Sequence, residues 1–382
     1  MRIALAALAA ALVAGLGGTV MADASASSTS GQITELSWSP DGKWLAYLVD
    51  TDPGAIHAQI LRVVRVDRVV QRDVVTVSPT AELFWIRWAP DSKRFAVREY
   101  DYSTNRDNAL ISSANGRRVR RFEGRFADWS PGSREFLLQK GGSTYIVDNT
   151  TRAERFLVQG GGALWSPNGA RIAFSASTYT ACSNDYRLFS VDPSGAGRLQ
   201  LGTDRFSFTA QFAAAWTPDS SRIAYYEGIS IGCWTDHGVV IVPADGSRQA
   251  VELGDRFQAQ VSWSPTGARL ATQDVATGLR IVTPQGATQA TIPSVREYGW
   301  APNGARVVFR SRSTRPADIY VGRINGSAPR VIAAAGDHPA WSKLGWIAYS
   351  NLGSCKAGGD RVFVVRPNGK HRHALSRCLP TP

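Results

Sequence analysis

Downstream of the first thirty residues, apolar and polar positions alternate in short runs, and no stretch keeps an apolar stripe at helical spacing. Runs such as "RIAFSA" (171–176), "RIAYYE" (222–227) and "TYIVDN" (144–149) predict strands. Pro, Gly and Asn/Asp clusters break them at intervals of ~8–12 residues, the rhythm of sandwiches, barrels and propellers.

One unit of this pattern recurs. "LSWSPDGKWLAYL" (36–48) returns as "IRWAPDSKRFAV" (86–97), "LWSPNGARIAF" (164–174), "AWTPDSSRIAY" (215–225), "SWSPTGARLAT" (262–272) and "GWAPNGARVVF" (299–309). With the weaker "DWSPGSREFLL" (128–138) and "AWSKLGWIAY" (340–349), eight copies align on Trp38, Trp88, Trp129, Trp165, Trp216, Trp263, Trp300 and Trp341. Their spacings of 50, 41, 36, 51, 47, 37 and 41 residues are close to one four-stranded propeller blade. In each copy a strand ends at the Trp, a Pro-Asp/Asn-Gly type turn reverses the chain, and a second strand follows. A third is legible in "GVVIVPADG" (238–246) and "RVFVVRPNG" (361–369), and a fourth in "RVIAAA" (330–335). One blade cannot bury both faces of its sheet, so the copies must stack radially. The prediction is an all-β, eight-bladed β-propeller, with seven blades and a divergent hairpin as the alternative. The Trp is expected to pack between blades.

W-[ST]-P-[DN]-G followed by I-A-[FY] and I-Y-V-x-[DN] resembles the TolB-like (WD40-like, PD40) propeller repeat. It is similar also to the propellers of the prolyl oligopeptidase and dipeptidyl peptidase IV families. The resemblance covers nearly all of 27–382 and implies fold more than activity.

The N-terminus differs. Arg2, the apolar "IALAALAAALVAGLGGTV" (3–20) and small residues in "ADASA" (22–26) read as a secretory signal peptide over residues 1–26. A single propeller domain over 27–382, secreted or periplasmic, is the expectation, with a retained anchor as the alternative. No stable membrane span is expected once the signal is removed. Four cysteines in an exported chain suggest two disulfides. Cys182 and Cys233 each lie 17 residues after their motif Trp, in equivalent loops of adjacent copies, and Cys355 and Cys378 meet at the same rim of the last copy. The pairs expected are Cys182–Cys233 and Cys355–Cys378.

Net charge is +12, largely from Arg. This favours an acidic protein partner or an anionic cell-envelope polymer. The scattered Arg runs lack the aromatic interleaving of a single-strand nucleic-acid groove, so no nucleic-acid partner is expected.

Candidate chemistry is sparse. "GISIG" (228–232) has the form G-x-S-x-G, but it runs from a strand into Cys233, with no helix to make Ser230 a nucleophile. The histidines are His57, His237, His338, His371 and His373; "HRH" (371–373), read as one strand with both rings on one side, lacks a carboxylate for a metal. Position −1 to each Trp, expected to face the axis, is small or apolar in six copies, leaving Arg87 and Asp128 as a structural ion pair or a ligand contact. The loops between second and third strands supply Tyr102, Arg106, Tyr179, Tyr186, Trp234, Asp236, His237 and Arg315 as rim-binding candidates. These observations predict a monomeric, non-catalytic binding scaffold without metal or cofactor. The alternatives are a hydrolase or lyase acting on a carbohydrate or lactone at the channel mouth, and a regulatory propeller of a peptidase.

Overall fold

The structure is a computed structural model and describes residues 31–51, 58–178, 185–202, 207–208, 214–227, 238–253, 258–274, 278–312, 317–355 and 359–378. These residues form eight antiparallel sheets, each built from consecutive strands. Blade 1 is typical: Gln32–Trp38, Trp44–Asp50, Gln59–Arg65 and Val70–Thr76 pair in chain order. In blade 5 both Ser207–Phe208 and Ala214–Trp216 pair with Arg222–Glu227, so the first-strand position there is shared by two segments. The first strands of neighbouring blades touch, as Gln32–Trp38 touches both Ala81–Trp88 and Gly336–Trp341, which makes the first strand the innermost.

Apolar side chains of adjacent sheets interdigitate. Leu45, Tyr47, Val49 and Val64 of blade 1 share a core with Ala348, Val362, Val364 and Leu375 of blade 8. Burying each Leu or Val side chain in this way stabilises by about 1.5–3 kcal/mol. Among the described residues the ring closes by packing between the first and last sheets, with no strand exchanged between them. Backbone bonds reinforce the seam: Ile33 N donates to Asp360 Oδ2 at 3.2 Å, and Asp360 N donates to the Gly31 carbonyl at 3.0 Å.

The motif Trp packs between blades as expected, and it also bonds there. In six blades its indole N–H donates to the carbonyl of the residue preceding the motif Trp of the previous blade; Trp38 reaches Ala340, Trp88 reaches Ser37 and Trp129 reaches Arg87 at 2.9–3.0 Å. Trp165 departs from the pattern and donates to Gly169 of its own turn.

The turn after the Trp holds a second link. Its left-handed position is Gly in blades 1, 4, 6, 7 and 8, where φ is +66° to +77° at Gly42, Gly169, Gly267, Gly304 and Gly345. In blades 2, 3 and 5 it is Ser92, Ser133 and Ser220, at φ +60° to +63°. A serine is strained there, yet each Oγ accepts a backbone N–H from the turn of the preceding blade: Asp41, Asp91 and Asn168, all at 3.0 Å.

Cys355 and Cys378 are joined, closing the rim of blade 8 as expected. The Cys182–Cys233 pair lies outside the described residues. Among the described residues no helix is long and apolar enough to cross a membrane. The "HRH" segment does not form one strand face: His371 sits in a turn at φ +58°, and only His373 enters the strand His373–Ala374, edge-on to Trp346.

Candidate active site on the propeller axis

The position preceding each Trp does not account for the axis alone. The pairing of first and second strands shifts register before the motif, between Ile33 and Glu35, Phe84 and Arg87, Val295 and Glu297, and Asp337 and Ala340. A bulge re-aims the side chains around it. Two bulged residues, Trp85 and His338, take left-handed backbone, φ +56° and +51°. Both stand three residues before their Trp, as do Glu35 and Glu297. The bulges thus bring charged groups together from blades 7, 8, 1, 2 and 3: Glu297, Asp337 with His338, Glu35, Arg87 and Asp128. The sequence pattern singled out only Arg87 and Asp128 at the axis; the structure adds three carboxylates and a histidine to them.

The centre of the arc is an ion-pair network. His338 Nδ1 lies 3.1 Å from Glu297 Oε2, across the junction of blades 8 and 7. Arg310 Nε lies 2.9 Å from Asp337 Oδ1, but off-axis, so this buried N–H has charge contact without a hydrogen-bond acceptor. Side-chain exposures of 14% for Arg310 and Asp337, 25% for His338 and 34% for Glu297 leave the group open to a ligand. Burial opposes the charge of His338, but Glu297 and then Asp337 outweigh it and raise the imidazole to about 9. Burial likewise opposes the charge of Glu297, and His338 with Arg310 and Arg296 overcomes it, holding that carboxyl below its usual range. Asp337 moves the other way, raised chiefly by burial and also by Glu297. At neutral pH the site therefore holds an imidazolium, a carboxylate paired to it, and a second carboxylate of enhanced basicity.

The flanking carboxylates are tied to backbone. Glu35 accepts the N–H groups of Trp85 and Ile86 at 2.9 and 2.8 Å, clamping blade 1 to the bulge of blade 2. Asp128 accepts those of Trp129 and Trp165 at 2.9 and 2.8 Å, joining blades 3 and 4. Burial raises Glu35, and it raises Asp128 to about 6. Arg87 interacts with both acids, so the expected Arg87–Asp128 pair becomes a shared cation between two clamps.

The donor atoms of Glu297, Asp337 and His338 lie within 4.8 Å of one another. An O, O, N set suits a hard divalent cation in type. The arrangement does not fit one as it stands, because the Nδ1 of His338 faces Glu297 and the Arg310 cation lies against Asp337.

The rim candidates scatter. Tyr102 is 60% exposed, with its hydroxyl donating to Glu82 at 2.6 Å. Arg106 lines a cleft of ≈ 320 Å³ between blades 2 and 3, with Asp107, Arg125 and Lys140. Nearby, the Arg98 guanidinium lies 5.1–5.3 Å from the rings of Phe84, Trp85 and Tyr100. Tyr186 lies on the strand Asp185–Val191, and its side chain is not described. Tyr179, Trp234, Asp236, His237 and Arg315 lie outside the described residues. Glu35, Glu297, Arg310, Asp337 and His338 escaped the sequence reading; an acid or histidine three residues before the Trp in copies 7, 8 and 1 was the available signal.

No protein-family model matches this chain, and no curated protein matches it. Solved β-propellers resemble it in fold. An oligogalacturonate lyase in complex with manganese superposes with a TM-score of 0.53 at 13% identity, over 88% of this chain and 97% of that one. An oligogalacturonate lyase from Vibrio parahaemolyticus gives 0.52 at 14%, over 88% and 98%. A prolyl endopeptidase gives 0.57 at 15%, over 89% of this chain and 55% of that chain, so the chain spans about half of that peptidase. At these identities the likeness establishes a β-propeller. It corrects the expectation of a non-catalytic chain to this extent: the architecture is shared with enzymes over nearly the whole length and does not mark the chain as a non-catalytic scaffold.

Proposed function

We propose that the chain is an exported β-propeller enzyme of the TolB-like repeat class that cleaves an acidic, envelope-type carbohydrate by β-elimination at the axial cluster. The reading includes removal of residues 1–26 on export. The observation that carries it is the His338–Glu297 pair set beside the Arg310–Asp337 pair, with all four side chains partly exposed. In a uronate the proton α to the carboxylate is removed, the glycosidic C–O bond on the adjacent carbon breaks, and a carbon–carbon double bond forms. Arg310 supplies a positive donor for the substrate carboxylate. Asp337, with its raised pKa, accepts the carbon-bound proton. His338, held as imidazolium by Glu297, returns a proton to the departing oxygen. The lyase activity named for two fold neighbours and the net charge of +12 support an anionic sugar.

The test is a panel of galacturonate, glucuronate and neutral oligosaccharides, followed by the ultraviolet absorbance of the conjugated product. Acidic members alone are expected to react. Turnover of neutral members, or of none, contradicts the reading.

A further inference from the structure

The rim opposite the second-to-third-strand loops carries a cleft of ≈ 690 Å³ between blades 7 and 8. Within-blade hairpins build it: the turns after Trp300, after Arg323, after Trp341 and after Val365. Its walls carry Arg306, Arg323, Arg330 and Arg366, with His371 beside them, and no carboxylate.

Several arginines elsewhere in the protein stand against carboxylates. Arg62 meets Asp73, Arg98 meets Asp107 and Arg134 meets Asp148. Among the described residues none of the four cleft arginines has an acidic partner. Arg306 and Arg366 lean on aromatic faces instead, 5.4 Å from the Trp341 ring and 3.7 Å from the Trp346 ring, and Arg366 Nη1 donates to the Leu344 carbonyl at 3.0 Å. Those contacts hold the two stems while the guanidinium edges keep donors for a ligand. Arg323 and Arg330 are exposed, at the two ends of one hairpin turn. Four like charges around one concavity repel each other, and that repulsion is relieved when a compact anion enters.

We infer that this cleft is a binding site for a phosphoryl-bearing ligand carrying at least two negative charges. The guanidinium fork matches phosphoryl oxygens two at a time. A compact polyphosphate uses four converging forks at once, whereas an extended uronate chain spreads its charges along its length. A second cleft of ≈ 370 Å³ shares Arg306 and Arg323 and is walled by Ala305 and Ile324, giving room for an apolar appendage beside the charged group. The site is separate from the axial cluster and does not depend on the catalytic reading. Free phosphorylated metabolites and phosphorylated lipid headgroups share this chemistry.

The experiment is titration of the full chain with inorganic pyrophosphate, in parallel with flotation on phosphatidylcholine vesicles with and without phosphatidic acid. The variants are Arg323→Gln with Arg330→Gln, and, as a control for net charge, the equally exposed pair Arg117→Gln with Arg118→Gln. Pyrophosphate affinity is expected to fall about tenfold or more in the cleft variant, the loss that follows from removing charge-assisted hydrogen bonds. The control pair should keep wild-type affinity. Binding to phosphatidic-acid vesicles that pyrophosphate displaces assigns the headgroup; pyrophosphate binding without vesicle binding assigns a free ligand. Equal weakening in both double variants, or no pyrophosphate binding by the wild type, overturns the inference.

Discussion

His338 Nδ1 and Glu297 Oε2 stand 3.1 Å apart across the junction of blades 8 and 7, both from bulged first strands and both three residues before a motif Trp. One contact thus binds two blades and sets the protonation of the axial site. The histidine is raised to about 9 from an unfolded value of about 6.5. Its contribution to stability is complete below about pH 6.5 and disappears as pH climbs through about 9. Partial exposure screens the pair, so the contribution is on the order of 1 kcal/mol. Urea unfolding midpoints should fall between about pH 6 and pH 9.5, and His338→Gln should remove that part of the fall.

Asp128 has the opposite character. Burial raises its carboxyl to about 6, so the protonated form is favoured by the fold. The relative stabilisation is present below about pH 3.8 and lost as pH rises through about 6. Asp128→Asn mimics the neutral form and should flatten the stability profile between these values. Asp128→Ala leaves the N–H groups of Trp129 and Trp165 without their acceptor and should cost about 2 kcal/mol or more at all pH values.

The serine-for-glycine turns give a prediction whose size depends on the replacement. Ser92 is held at φ +60° and accepts the Asp41 N–H at 3.0 Å. Ser92→Ala keeps the backbone strain and loses the bond, for a loss of about 1 kcal/mol. Ser92→Gly loses the same bond and relieves the strain, so it should be closer to neutral. Thermal unfolding of the two variants measures the difference.

Among the described residues blade 8 closes against blade 1 without strand exchange, and the Cys355–Cys378 bridge, over a separation of 23 residues, constrains its last segment. Replacing both cysteines by serine should destabilise by about 3 kcal/mol on the loop-entropy argument. Denaturant unfolding of this variant should match that of the wild type only if the bridge contributes nothing.

The blades were legible because each repeats a local instruction: a strand ending in Trp, a tight turn that contains Pro in all copies but the eighth, then a strand of alternating apolar residues. Eight such units leave little freedom in the architecture. The axial site was not legible by the same rule. Counting from Trp300 and Trp341 to the preceding residue gives Gly299 and Ala340, both small; the bulges upstream present Glu297 and His338 instead. A bulge depends on cross-strand hydrogen bonding, which residue periodicity does not carry. Arg87 and Asp128 were visible because they occupy the unshifted position, but their partners, Glu35 and the N–H groups of Trp129 and Trp165, are set by how blades meet. The basic cleft likewise joins residues of two blades, Arg306 and Arg366, sixty positions apart in the chain.

The measurement that bears most directly on the axial cluster is turnover of acidic oligosaccharides by wild type and His338→Gln, with thermal unfolding checked on both. The account predicts an unsaturated product from the wild type and a fall of about 10²–10⁴-fold in kcat for the folded variant, the range for removing a general acid. A folded His338→Gln protein that turns over substrate at the wild-type rate would contradict it.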